Sequence, residues 1–329
     1  MSSCKRIIAR LDVKGQRLIK GIRLEGLRVI GDACDSAKKY ANDGIDEIFY
    51  TDAVASLYQR NGLSEVLRKT VKEVFVPITA GGGIRSVEDG RRLLAAGADK
   101  LAINTGAIRE PKLLEQLARK FGQQCVVLSI QASRVKASQK WNAMMESGRE
   151  NSGRDIKEWI IEAQDRGIGE IFLTSVDRDG TGQGPDINLL EDIMDIVKVP
   201  LVIGGGFSEN SQLKDIFDRH KSLSGISIGW GLHYKRLDIS SIKNEMKKMS
   251  LDVRETDKKL QITEIKESRD VAIIDYGMGN LQSLVNAFNH LGVKTKLLNS
   301  QELINNIDIC VLPGVGSFPE GMKQLNKLD

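Results

Sequence analysis

The chain has 329 residues, 41% of them hydrophobic, and 48 Lys and Arg against 44 Asp and Glu give a net charge of +4. That length allows one large domain with a smaller appendage, and the hydrophobic share is enough for a sizeable core. Mild, interleaved charge argues against nucleic-acid binding, the lack of a long apolar run argues against a membrane span, and four scattered cysteines without a CxxC pair, with only three histidines, argue against a structural metal site.

The N-terminus, MSSCKRIIARLD, enters a strand with no apolar signal core, so a reduced, cytoplasmic protein is expected. Strand-like runs rich in Ile, Val, Leu and Phe follow at 6–12, 46–52, 76–81, 99–104, 125–131, 169–175, 200–204 and 225–229. Amphipathic stretches such as 86–96 and 111–121 lie between them. Two phrases occur twice at one spacing. VPITAGGGIR at 76–85 returns as VPLVIGGGFS at 199–208, and GIDEIFYTD at 44–52 returns as GIGEIFLTS at 167–175. The predicted fold class is α/β, a parallel (βα)8 TIM barrel of two half-barrel repeats over residues 1–254. An open doubly wound sheet is the alternative. The repeat favours the barrel, because closing two (βα)4 halves leaves no sheet edge.

Residues 255–269 are charged and read as a linker. A new unit begins at 270, with VAIIDYGMGN at 271–280, a predicted helix near 281–291 and DICVLPGVGSF at 308–318. Residues 270–329 read as the start of an α/β domain with too little chain to complete its sheet, so its apolar faces call for docking.

In a barrel the C-terminal strand ends form the active face. Gly81–Gly83 and Gly204–Gly206 follow strands three and seven. Such glycines let backbone amides approach an anion, and a helix N-terminus behind them adds its dipole. A glycine triplet also serves tight strand-to-helix packing, but two copies at matching barrel positions suit a substrate with a phosphate at each end. Asn104 and Thr105 complete the first cradle, and Asp179 and Gly180 complete the second. Asp12 ends strand one and is a candidate general acid or base, or else a structural carboxylate. Its counterpart by the repeat, Gln131, has no titratable proton. Arg6, Glu47, Lys100 and Glu170 begin strands one, two, four and six, so two positive and two negative charges point inward at the bottom of the barrel. They form a stabilising plug or a gate over a passage.

RIIARLDVKGQRLIKG, GIDEIFYTDAVAS, ITAGGGIRS, GADKLAINT, LTSVDRDGTGQGPD and IGGGFS together resemble the HisF family, the cyclase subunits of imidazole glycerol phosphate synthase. DYGMGN and LPGVGSF resemble the beginning of the HisH glutaminase, a class I glutaminase. The resemblance implies an enzyme without cofactor or metal that takes ammonia from a HisH-type glutaminase at its bottom face. At the top, ammonia and a bisphosphorylated ribulosyl-formimino intermediate give imidazole glycerol phosphate and an aminoimidazole carboxamide ribotide. By motif, Asp12 matches a catalytic aspartate, and Arg6, Glu47, Lys100 and Glu170 match the ammonia gate. Gly83, Asn104 and Thr105 match one phosphate site, while Asp179, Gly180 and Gly206 match much of the other. Lys20 and Asp52 match further residues of the active face.

Three departures stand out. The family's second catalytic aspartate falls on Gln131. Gly229 and Trp230 stand where a small pair gives phosphate amides, so an indole there would crowd the second cradle. Arg10 replaces a small residue, and alternation along strand one puts Arg6, Ile8, Arg10 and Asp12 on one face. Arg10 is expected either to pair with Asp12 or to narrow the ammonia path. The glutaminase nucleophile has no counterpart before Asp329, so this chain alone is not expected to hydrolyse glutamine. Two other functions compete with the cyclase. One is a paralogue channelling ammonia for sugar amidination in surface-polysaccharide synthesis, and the other is a non-catalytic scaffold that activates a glutaminase.

Overall fold

A computed structural model describes residues 4–55, 62–135, 140–255, 270–276, 281–299, 307–314 and 318–327. Most of the expected linker, the end of DYGMGN and the centre of PGVGSF lie outside the described residues. The barrel region contains β1 (Arg6–Lys14), β2 (Arg17–Ile22), β3 (Glu25–Asp32), β4 (Glu47–Asp52), β5 (Ile78–Gly81) and β6 (Lys100–Ile103). It continues with β7 (Val126–Arg134), β8 (Trp141–Met145), β9 (Glu150–Asp155), β10 (Glu170–Ser175), β11 (Leu201–Gly204) and β12 (Gly225–Ile228). Eight of these, β1, β4, β5, β6, β7, β10, β11 and β12, pair in parallel, and β10 closes onto β7 to complete the circle. The open-sheet alternative is thereby excluded. Their sequences are nearly all apolar because both faces are buried, one against helices and one inside the barrel.

Helices occupy the outer ring where the amphipathic stretches fall. Ser86 caps Val87–Ala95 by accepting from the Asp89 amide, and the Asp89 carboxylate accepts in return from the Ser86 hydroxyl and the Arg85 amide. Helix Lys112–Phe121 turns Leu113, Leu114, Leu117 and Phe121 onto the barrel. Inside the strands sits a separate apolar layer of Ile8, Phe49, Ala102, Val127, Phe172 and Val202. Phe49 and Phe172 stack across it with ring centroids 4.0 Å apart.

Two hairpin extensions were not expected. β2–β3 continues antiparallel from β1, and β8–β9 continues antiparallel from β7. They occupy the same position in the two half-barrels and both rise from strand ends at the mouth. Residues 270–327 contribute a parallel sheet in the order β14 (Thr295–Leu298), β13 (Val271–Ile274), β15 (Ile309–Val311), with helix Leu281–His290. Leu297, Ile309 and Leu312 of this unit are 50%, 39% and 55% exposed, so its apolar surface is only partly covered. No helix among the described residues is long and apolar enough to cross a membrane.

The bottom of the barrel is tied to its last segment by one carboxylate. Asp46 accepts from the Ile7 amide at 2.8 Å, from Lys243 Nζ at 2.8 Å and from Arg254 Nε at 3.0 Å. The Lys5 amide donates to the Asp252 carbonyl beside it. Asp46 and Lys243 are buried, and removing one member of a buried pair strands the other charge. Asp46→Ala is expected to lower unfolding free energy by about 3–5 kcal/mol, read as a lower urea midpoint at unchanged slope.

Candidate functional site

The two halves of the mouth differ in their lining. A cleft of about 180 Å³ opens at the C-terminal ends of β4 to β7, lined by Asp52, Gly82, Gly83, Asn104, Thr105 and Gln131 among others. Gly82 has φ +101°, and a Cβ there would fall 2.6 Å from the Asp52 carbonyl oxygen. Only glycine can press this close, and the contact sets the Gly82–Gly83 turn against the Asp52 backbone. Asn104 Nδ2 donates to Gln131 Oε1 at 3.1 Å and to the Met144 carbonyl at 3.0 Å. Thr105 Oγ1 accepts from the Glu146 amide, so the β8–β9 hairpin fixes this wall. Gly83, Asn104, Thr105 and Gln131 are therefore neighbours around one cavity.

Across the mouth the interior is filled by charge. Arg10 Nε donates to Asp12 Oδ1 at 2.9 Å, and its Nη1 donates to Thr174 Oγ1 at 2.9 Å. Lys20 Nζ lies 3.0 Å from Asp12 Oδ2 and 2.7 Å from Asp179 Oδ2. All four charged groups are buried. The expected Arg10–Asp12 pair is thus formed, and both oxygens of the Asp12 carboxylate are held by cations. Burial alone would push the Asp12 carboxyl up, but Arg10 and Lys20 outweigh it and hold the group well below the usual carboxylate range. Asp52 differs. Burial raises its carboxyl, opposed only by the amides of Val54 and Ala55.

Gly180, expected to complete the second cradle, is engaged elsewhere. Its φ is +72°, and a Cβ would fall 2.3 Å from the Gly21 carbonyl oxygen. The Asp179 carbonyl accepts from the Arg23 amide. This loop packs onto the β2–β3 hairpin, and that packing requires glycine at 180. The Trp230 ring lies beside Gly182, tilted 5.3 Å from the Tyr234 ring. None of Asp179, Gly206, Gly229 or Trp230 lines the open cleft.

At the opposite end the four inward charges close into a ring. Arg6 bonds Glu47 at 2.8 Å and also bonds Glu170, while Lys100 bonds Glu47 at 3.0 Å and Glu170 at 2.8 Å. Thr79 Oγ1 adds a bond to Glu47. Burial would raise the Glu170 carboxyl, but Lys100 and Arg6 hold it below its ordinary value. The ring, the apolar layer and the mouth thus stack along the inside of the barrel.

Residues 6–238 match the histidine biosynthesis protein family. The chain belongs to the HisF family. It is 50% identical over 204 residues to the imidazole glycerol phosphate synthase subunit HisF of Legionella pneumophila, covering 62% of this chain and 96% of that protein. It is 41% identical over 250 residues to the HisF subunit of Streptococcus sanguinis, covering 76% and 98%. For the HisF subunit of Helicobacter hepaticus the identity is 41% over 254 residues, covering 77% and 100%. The histidine-biosynthesis, HisF and TIM-barrel expectations agree with this.

Some residues of this HisF site escaped the motifs. Thr174 is visible only by alternation two residues beyond Phe172. His233 bonds the Arg10 carbonyl through Nε2 at 3.0 Å and Tyr40 through Nδ1 at 2.8 Å. A carbonyl can only accept, so Nε2 carries the proton and Nδ1 accepts from the tyrosine. Burial, with Lys20 nearby, lowers His233 to about 4 from an ordinary 6.5. Because the folded value is the lower one, the stability tied to neutral His233 is complete above pH 6.5 and is lost as pH falls toward 4. The loss amounts to roughly 3 kcal/mol at about 1.4 kcal/mol per pH unit. His233→Gln is expected to flatten this part of the stability–pH curve, measured by urea unfolding across the interval.

Proposed function

We propose that this chain is a cyclase-type subunit of an imidazole glycerol phosphate synthase. It receives ammonia from a HisH-type glutaminase docked at the bottom face. It adds that ammonia to a bisphosphorylated ribulosyl-formimino intermediate at the mouth, giving imidazole glycerol phosphate and an aminoimidazole carboxamide ribotide. The observation that carries this reading is the closed Arg6–Glu47–Lys100–Glu170 ring lying at the opposite end of the barrel from the Gly83–Asn104–Thr105 cleft. A nitrogen source at the ring and a phosphate cradle at the mouth call for a passage between them. Thr51 and Ser227 supply buried hydroxyl oxygens without a hydrogen-bond partner among the described residues, as stations for a small polar guest.

In this reading the amides of Gly82 and Gly83 and the helix start at Thr105 hold one phosphate. Asn104 and Gln131 orient the acceptor by hydrogen bonds. Asp12, Lys20, Arg10 and Asp179 provide a fixed electrostatic wall, and Gly206 and Gly229 remain the candidates for the second phosphate. Residues 270–329, joined to the 1–254 barrel through 255–269, are read as a HisH-like N-terminal segment. The parallel order β14–β13–β15 supports that assignment.

A second reading is favoured by Gln131 and by the clamp on Asp12. If neither position can exchange a proton, the barrel conducts ammonia to a sugar-amidinating partner and does not cyclise. Ammonia-dependent turnover of the bisphosphate intermediate by the intact chain decides between the two. The cyclase reading expects product formation, raised several-fold or more by Gln131→Asp. No product from either protein would overturn it. Glu170→Ala is expected to weaken glutamine-driven turnover with an added HisH-type glutaminase while leaving turnover with free ammonia within a few-fold.

A further inference from the structure

Two positions are expected to exchange protons at a HisF mouth, and in this chain neither is free to do so. Gln131 has no ionisable proton. Asp12 has Arg10 on one oxygen and Lys20 on the other, all three buried. Protonating it would leave two buried cations short of a partner, at a cost of several kcal/mol. Addition of ammonia to a carbonyl, followed by loss of water, still requires that nitrogen give up two protons and that oxygen gain two, one on addition and one as the water leaves. A group able to relay those protons must stand at the cleft.

We propose that Asp52 is the proton-relaying carboxyl of this cleft. It ends β4, lines the cavity beside Gly82 and Gly83, and is only 5% exposed. Its Oδ1 accepts from the Val54 amide at 3.1 Å. Among the described residues no cation lies within ion-pair distance of it. The charged side chains that share the cleft are occupied or turned outward. Arg85 donates to the Ala55 carbonyl at 2.9 Å, Arg109 lies 2.9 Å from Glu146, and Glu110 is exposed. Lys20, the nearest buried ammonium of the mouth, is shared by Asp12 and Asp179. Burial raises the Asp52 carboxyl, whereas Asp12 is driven the other way. The pressing of Gly82 onto the Asp52 backbone sets Asp52 beside the Gly82–Gly83 turn, within the same cleft. Asp52 gives its proton to the carbonyl oxygen and takes one from the added nitrogen, and repeats the exchange as that oxygen leaves as water, so it ends each cycle as it began. This assignment rests on the cyclase reading above.

The test is a ¹³C-detected titration of aspartate carboxyls in the intact chain, with Asp52→Asn and Asp12→Asn used to assign the two resonances. Ammonia-dependent turnover of the bisphosphate intermediate is measured beside it. Asp52 is expected to titrate above the ordinary value of about 3.9, with Asp12 ionised throughout. Asp52→Asn is expected to lose roughly 10²–10⁴-fold in kcat with KM within a few-fold, and Asp52→Glu to regain part of it. An Asp52 that titrates at or below about 3.9, or an Asp52→Asn chain that turns over like wild type, overturns the proposal. If the intact chain makes no product at all, the cyclase reading fails on its own, and the titration still decides which aspartate can carry a proton.

Discussion

Four buried charges at the mouth, Arg10, Lys20, Asp12 and Asp179, are the constraint on which the rest of the site depends. They balance two against two, and none is accessible to water that could replace a lost partner. In a low-dielectric interior such a network persists only if every member is paired. The pairing ties three elements together: β1 through Asp12, the β2–β3 hairpin through Lys20, and the loop after β10 through Asp179. Arg10 adds β10 itself through Thr174. The hairpin then lies close enough for Gly180 to meet the Gly21 carbonyl, and beside it a second cavity is lined by Lys20, Gly21, Trp230 and Tyr234.

The half-barrel repeat gives each of these residues a counterpart with a different fate. Asp12 answers to Gln131, which carries no charge and instead accepts from Asn104. Thr105 answers to Trp230. The threonine holds the β8–β9 hairpin by one hydroxyl, whereas the indole lies beside Gly182. Two hairpins therefore rise from equivalent strand ends, one fastened by buried ion pairs and the other by neutral hydrogen bonds with an Arg109–Glu146 ion pair at its turn. The Gly82–Gly83 cleft lies on the side of the neutral hydrogen bonds.

The barrel was legible in the sequence because its signal is strong and local. The eight apolar runs coincide with the eight closed strands to within a few residues at each end, and the duplicated glycine phrases fall at their ends. The hairpins were not legible, because their strands alternate weakly and carry many charged residues, as in RLIKGI and ENSGRD. That omission hid a contact at one expected site residue. Gly180, which matches a phosphate cradle by motif, also lies against a carbonyl of the β2–β3 hairpin. The Arg10–Asp12 pair was within reach, since residues two apart on a strand share a face. The Arg10–Thr174 and His233–Arg10 contacts were not, because they join positions that only barrel closure brings together.

The interior between ring and mouth also bears on what form of nitrogen can cross it. Arg6 and Lys100 keep some side-chain accessibility, 26% and 19%, whereas Glu47 and Glu170 are nearly covered. A guest approaching the ring thus meets cations first. Beyond it, Ile8, Phe49, Ala102, Val127, Phe172 and Val202 offer no polar atom. An ammonium ion entering that layer would shed its hydration without replacement, a cost of several kcal/mol. Neutral ammonia forfeits only hydrogen bonds of ordinary strength. The next charge it meets is the Arg10 guanidinium, which donates but cannot accept and would repel a cation a second time. The hydroxyls of Thr51 and Ser227 can accept from a neutral guest. Arg10 therefore acts with the apolar layer and not against it. On the proposed reading, the residue that fixes Asp12 as an anion also makes the upper barrel selective for ammonia in its unprotonated form.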